Sequence, residues 1–311
     1  MEPLITVSNM ARILGVSEST VRRWCDGGQL QTTRTIGGHR KIPRQDAIRF
    51  IHRGKLHVLR PDLLTGMSAS KGDTPSAADD IELFYLAAEA GRTDAALSLI
   101  DACYLGGKSV AEICDGPLRE SMHRIGARWP EDERAIFLEH RATNLCIRIL
   151  DQLRSNLPVR TPGTPVALGG APTDDPFLLP SWMVATVLAD VGFADINLGP
   201  NTPIDVIEAS AMENDARIVW LSLTASRLPR ALEPELTALA DRLAERDAHL
   251  VIGGQAARGF RFNSAPHLHT FDSMQELSGF ARGLLVSGRQ TQIAADQRSK
   301  TNGKARRGGK K

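Results

Sequence analysis

The stretch Ser8-Asn-Met-Ala-Arg-Ile-Leu-Gly-Val-Ser-Glu-Ser-Thr-Val-Arg-Arg-Trp24, followed by Gly37-Gly38-His39-Arg40-Lys41-Ile42, decides how the chain begins to fold. The spacing predicts a first helix capped by Ser8, with Ala11 and Leu14 on its inner face. Gly15 supplies a positive-φ turn, and Ser17 caps a second helix that buries Val21 and Trp24. Arg22 and Arg23 then face outward. A capped helix pair joined by a tight Gly turn is the geometry that lays a second helix in the major groove of double-stranded DNA. A plain helical hairpin with solvated arginines is the alternative.

The segment after the helix pair favours DNA. Gln31 to Ile36 has strand composition, Gly37-Gly38 is a hairpin turn signal, and His39-Arg40-Lys41 places donors at the tip of a wing, where a phosphate backbone would lie. Candidate contacts are therefore Ser19, Thr20, Arg22 and Arg23 on the second helix, and Arg34, His39, Arg40 and Lys41 on the wing. Residues 1 to 60 hold about seven more basic than acidic side chains, while the whole chain has a net charge of only +2, so the positive charge is local. The stretch from Ile5 to about Ile51 resembles the DNA-binding domain shared by MerR-type regulators and excisionases. The resemblance rests on Val16-Ser-Glu-Ser-Thr-Val-Arg-Arg-Trp24 and Gly37-Gly-His-Arg40.

Outward from this head, 311 residues are enough for two or three domains of ordinary composition. No apolar run approaches the roughly 20 residues that span a bilayer, and no signal-peptide core opens the chain, so a cytoplasmic protein without membrane contact is expected. Cys25, Cys103, Cys114 and Cys146 lack metal-ligand spacing and read as core thiols; no metal site is expected. Residues 1–54, ending in a helix with Ala47, Ile48 and Ile51 inward, form the expected winged helix-turn-helix domain. Residues 55–78 read as a linker that lets the head reorient. Residues 79–157 carry apolar residues at helical spacing, broken at Gly91, Gly106-Gly107 and Pro130, and predict a four-helix bundle.

Residues 158–290 alternate strands with helices. Strands are expected at Val166–Leu168, Ala194–Leu198, Arg217–Leu223, His249–Ile252 and His269–Phe271, with helices at Trp182–Val191, Pro203–Asn214, Arg230–Arg246 and Met274–Val286. This pattern implies a doubly wound parallel sheet of Rossmann type, so the fold class is multidomain α/β. Ligands of such sheets bind at the carboxyl ends of the strands. Residues 291–311 read as a basic disordered tail.

Bundle and sheet together resemble the cobalamin-binding module, and the order of domains resembles the CarH-like cobalamin-responsive MerR regulators. The resemblance is carried by Trp129, nine residues, then Glu139-His140; by Leu198-Gly-Pro-Asn-Thr-Pro203; by Ser222; and by Gly253-Gly254-Gln255. It implies that Trp129, Glu139, His140, Asp175, Ser222, Gly253 and Gly254 would line a cobalamin site. The family's loop after the first strand carries a His that ligates cobalt, and its light-sensing members carry another after the Trp. Phe177 and Pro130 stand at those two positions, so any cobalamin would lack protein axial ligation. The site is left open to three occupants: none, such a cobalamin, or another flat or nucleotide-like molecule. The expected function is transcriptional regulation by a self-associating, non-catalytic protein. The alternatives are an excisionase-like architectural protein and a cobalamin-dependent enzyme module.

Overall fold

The computed structural model describes residues 4–34, 39–54, 56–60, 62–65, 77–128, 134–158, 160–261 and 267–287. The wing tip Gly37-Gly38, the signature Trp129, Pro130 and the basic tail lie outside these residues. Two compact units emerge, one of residues 1–161 with 178–186, the other of residues 162–177 with 187–311.

The first unit opens with β1 (Leu4–Thr6), α1 (Val7–Leu14), α2 (Glu18–Asp26), β2 (Thr33–Arg34), β3 (Arg40–Pro43) and α3 (Arg44–Gly54). Thr6, not Ser8, caps α1: its Oγ1 accepts the Asn9 N–H at 3.0 Å, because the strand runs straight into the helix and Ser8 already lies inside the first turn. Gly15 closes α1 at φ 65°, and Ser17 Oγ accepts the Thr20 N–H, both as the sequence implies. Met10, Ile13, Val21, Leu30, Ile42 and Ile48 are fully or almost fully buried and form the head's core. Trp24 is half-buried rather than buried, its ring tilted against Phe50 of α3 at 5.0 Å.

The wing departs from expectation. The strand expected over residues 31–36 is described only as β2, and Arg40 and Lys41 sit within β3, which pairs with β1 on one side and β2 on the other. They are therefore central-strand residues rather than a tip, because β1 supplies a second edge for β3 to pair with.

The expected linker is partly structured. Residues 62–65 form a helical turn, α4, whose Leu64 is buried, and the Leu59 N–H donates to Ile13 O at 2.7 Å. Helix α3 packs on the bundle: Arg44 Nη2 lies 2.7 Å from Asp101 Oδ2, His52 stacks on Tyr104 at 4.3 Å, and Arg49 Nε donates to Ser155 O at 3.1 Å. A freely reorienting head is thus corrected to one docked through α3, because α3 places polar and charged side chains opposite partners on the bundle.

The bundle comprises α5 (Ala77–Glu89), α6 (Thr93–Leu105), a third rod and α9 (Arg134–Ser155). The third rod runs from α7 (Val110–Ile113) through a π-helical turn at Cys114–Leu118, which contains Pro117, into α8 (Arg119–Gly126). Ser109 and Glu112 make a reciprocal capping box at its start. Gly91 breaks α5 from α6 at φ 69°, and the Arg141 guanidinium donates to the carbonyls of Ala88 and Glu89 at the end of α5. Cys103, Cys114 and Cys146 are buried, Cys25 is half-buried, and all four are free thiols.

The second unit is a five-stranded parallel sheet in the order β5-β4-β6-β7-β8. The strands are β4 (Val166–Pro172), β5 (Ala194–Thr202), β6 (Ala216–Ser222), β7 (His249–Gly253) and β8 (Leu268–Phe271). Its helices are α11 (Ile204–Glu213), α12 (Leu232–Ala244) and α13 (274–287), while α10 (Leu178–Val191) is divided, residues 178–186 belonging to the first unit and the rest to the second. On one face Leu168, Val219, Leu221, Leu250 and Ile252 pack with Ile207, Leu236, Leu239 and Leu243 of α11 and α12. Such strands are buried on both faces, as their continuous apolar runs require.

Candidate functional site

The head presents its polar surface through α2. Ser17 begins the helix, and its hydroxyl meets those of Ser19 at 2.7 Å and Thr20 at 3.0 Å, which fixes both at the amino end. Ser19 is exposed and Thr20 half-buried. One turn on, Arg22 and Arg23 are exposed, Arg22 leaning back to Glu18 at 3.1 Å in a solvated pair that costs little to open. Arg34 and His39 are exposed, and Lys41 is half-buried.

Arg40 has another role besides any phosphate contact. Its Nη1 lies 2.6 Å from Asp26 Oδ1 at the end of α2, tying the strand that carries the wing to the helix that would enter the groove. A guanidinium has five N–H donors, so this tie leaves some for a phosphate. The candidate DNA residues therefore share one structural frame: α2, β2 and β3, fastened by the Asp26 pair and the Trp24–Phe50 contact.

The cofactor-like residues are divided between the two units, Glu139 and His140 in the first and Asp175, Ser222, Gly253 and Gly254 in the second. Glu139 is half-buried and His140 exposed on α9, and their expected companion Trp129 falls outside the described residues. Asp175 is completely buried. Its Oδ2 accepts the N–H groups of Thr224 at 2.5 Å and Ala225 at 3.0 Å, and its Oδ1 accepts the Phe177 N–H at 3.2 Å. The carboxylate therefore staples the loop after β4 to the loop after β6.

Phe177 is 41% exposed and has no lone pair to offer a metal. It forms the N-cap of α10, so Pro180 belongs to the first helical turn rather than to a loop. There its missing N–H is one that the helix would leave unpaired in any case. Phe177 itself therefore has no ligand atom to offer a corrinoid's cobalt.

Close packing characterises the same edge of the sheet. A side chain at Gly169 would meet Trp220 ring atoms at 2.6 Å, so this buried indole lies directly against the β4 backbone. At Gly170 a side chain would meet Gly199 O at 2.6 Å. Ser222 is buried at the end of β6, beside Gly253. Gly253 has room for a methyl group, its nearest neighbour being Phe271 O at 3.4 Å. Gly254, at φ 103°, has none, because Leu223 carbonyl atoms lie within 2.8 Å of where a Cβ would stand. Gly169, Gly170 and Gly254 thus serve backbone approach between neighbouring strands and loops.

The sequence reading missed a cluster at the opposite ends of β7 and β8. His249, His267 and His269 are half-buried beside Asp247. His249 and His267 rings stack at 4.5 Å, and His249 Nδ1 lies 3.1 Å from His269 Nε2. Burial, with the adjacent His267 and His269, pushes the His249 imidazole down to about 4, and burial lowers His269 as well. The available signal was His267-x-His269, an alternation that puts both rings on one face of a strand. Its link to His249 required the parallel register.

Comparison with known proteins respects these boundaries. Residues 4–55 match the helix-turn-helix domain family, and residues 81–154 match the B12 binding domain family. The second match covers the helical bundle, and the sheet lies beyond it. No curated protein matches the chain. Among solved structures, a monomethylamine corrinoid protein of Methanosarcina barkeri is similar at 15% identity and a TM-score of 0.48, over 67% of this chain and 100% of its own. A cobalamin-binding protein of Desulfitobacterium hafniense is similar at 17% identity and a TM-score of 0.34, over 67% of this chain and 97% of its own. A methanol:cobalamin methyltransferase complex of Methanosarcina barkeri is similar at 15% identity and a TM-score of 0.34, over 70% and 86% respectively. Among the described residues, no helix is long and apolar enough to cross a membrane.

Proposed function

We propose that this chain, a helix-turn-helix head followed by a cobalamin-binding-like module, is a cytoplasmic, non-catalytic transcriptional regulator of MerR type. The observation that supports it best is the joining in one chain of an exposed, arginine-bearing second helix with a B12-binding-domain bundle. Double-stranded DNA is its partner. One head offers few phosphate contacts, and pairing heads through the other domains raises affinity by effective concentration, which makes self-association the natural point of control.

The module acts in this reading as the part that sets the oligomeric state. A corrinoid held there receives no cobalt ligand from the loop after β4, since Phe177 cannot supply one. Dark, anaerobic titration with adenosylcobalamin and hydroxocobalamin, followed by gel filtration, separates a corrin-dependent change in size from a ligand-independent regulator.

The DNA assignment is tested by fluorescence anisotropy on operator sequences selected from random DNA. Replacing both Arg22 and Arg23 by Ala should weaken binding and reduce the slope of log affinity against log salt by about 0.9 for each phosphate no longer neutralised. Unchanged affinity and slope would refute the role of α2.

A further inference from the structure

We propose that Asp247, His249 and His267 form a binding site for a divalent first-row transition-metal ion, with His269 as the residue that positions His249. One ligand atom from each of the three lies within 4.8 Å of the others. Four-coordinate zinc, with bonds of 2.0–2.1 Å, sets its ligand atoms about 3.4 Å apart, so a modest contraction completes the set. Asp247 supplies part of it, its side chain being 76% exposed on the turn before β7, and the two imidazoles supply the rest. A water fills the fourth position.

The arrangement has the marks of a built site. The His267 Nδ1–H donates to Ala248 O at 2.9 Å, which leaves Nε2 with a free lone pair. A metal-bound histidine characteristically anchors its second nitrogen in this way. In the tautomer in which His249 Nδ1–H donates to His269 Nε2, its own Nε2 is the nitrogen left open. The parallel pairing of Leu250 with Leu268 puts the preceding residues, His249 and His267, side by side with their rings stacked 4.5 Å apart, and a shared ion requires the two rings to turn toward one another. Phe280 of α13 closes the inner side, edge-on to His249 at 5.4 Å and against His269 at 4.3 Å. The Arg217 guanidinium faces the site, 3.4 Å from Asp247 Oδ2, and a carboxylate has lone pairs enough to serve it and a metal together.

Imidazole nitrogen with one carboxylate suits zinc, copper, nickel and iron rather than magnesium or calcium. The site lies at the amino end of β7, about 13 Å along the strand from the cofactor-like loop at Gly253, taking about 3.3 Å per residue. It is independent of the DNA and corrinoid readings. An ion there would clasp the edge strand β8 to β7 and to the turn from α12.

The test uses the full chain without an affinity tag, stripped by chelator and then freed of it, titrated calorimetrically with Zn²⁺. One site per chain is expected, with affinity falling at least tenfold in His249→Gln and in His267→Gln, about tenfold in His269→Phe, and unchanged in His123→Ala. In the unaltered protein, nitrogen-15 spectra of the imidazoles should show Zn²⁺ shifting His249 and His267 Nε2, a readout independent of whether the variants fold. No zinc uptake, or undiminished uptake in the His249→Gln/His267→Gln double variant, would overturn the proposal.

Discussion

Replacing Asp175 by Asn should loosen the carboxyl edge of the sheet while leaving its shape unchanged. The carboxylate is fully buried and accepts three backbone N–H groups, two on one oxygen and one on the other. Asn keeps one acceptor oxygen and turns the other into a donor. In its better orientation the amide oxygen faces Thr224 and Ala225, and the amide N–H group opposes that of Phe177. One charge-assisted bond is then lost and two become ordinary ones. With such bonds contributing about 1.5–3 kcal/mol against about 0.5–1.5 for neutral ones, the mid-range net loss is about 5 kcal/mol.

Because the chain has two compact units, one global midpoint would blur this effect. Amide exchange in peptides spanning residues 216–223 and 249–253 reads it locally. A loss of about 5 kcal/mol corresponds to exchange faster by about three to four powers of ten, at a factor of ten for each 1.4 kcal/mol. Phe177→Leu, at an exposed position, is the control and should leave exchange unchanged. If Asp175→Asn exchanges at the wild-type rate, the staple between the two loops does not hold them, and Asp175 would be free to face a ligand.

Three other substitutions probe caps, buried charge and backbone approach. Thr6→Ala should lower stability to urea by about 1 kcal/mol while Ser8→Ala has little effect, since only Thr6 accepts the N–H at the start of α1. Arg44→Ala should cost about 3–5 kcal/mol in the denaturation of the first unit by stranding Asp101, and the Arg44→Met/Asp101→Leu double variant should recover most of it. Gly254→Ala should lower the thermal midpoint by several degrees where Gly253→Ala does not, because only Gly254 combines positive φ with a carbonyl in the way; equal effects would contradict the geometry.

Much of this architecture was legible because it rests on local rules. Gly15 and Ser17 signal their caps through residue type alone, and all five strands of the sheet stand where apolar runs alternate with helical spacing. The strands β4 and β5 run longer than expected, to Pro172 and Thr202, because pairing carries them through glycines and prolines that sequence rules count as breaks. The cap at Thr6 in place of Ser8 has the same origin: which of them begins the helix depends on where β1 stops, and β1 exists only because β3 pairs with it. Long-range partners were least legible of all. Nothing near Arg44 announces Asp101, and nothing near Asp175 announces Thr224, 49 residues away. The histidines of β7 and β8 are separated by a loop, and only the parallel register brings them together.

The Arg44–Asp101 pair carries a mechanical consequence for any signal that reaches the bundle. Asp101 is 2% exposed; Gln152 of α9 donates to its Oδ1 at 2.6 Å while Arg44 of α3 lies beside its Oδ2. Burial raises this carboxyl, and the Arg44 charge and the Gln152 bond pull it back toward the ionised form. The Arg44 contact is close but not aligned as a hydrogen bond, so it depends mainly on charge and on the exclusion of water. One side chain thus joins a helix of the head to two helices of the bundle. A shift between α6 and α9 that moved Asp101 away would leave a buried arginine uncompensated, at a cost of about 3–5 kcal/mol unless α3 moved as well. That energy is about two to four powers of ten in an equilibrium constant, comparable with or larger than the coupling of typical allosteric proteins. Rearrangement of the bundle and displacement of the head are therefore linked by the chemistry of one buried charge, whether the rearrangement comes from a ligand or from a second copy of the chain.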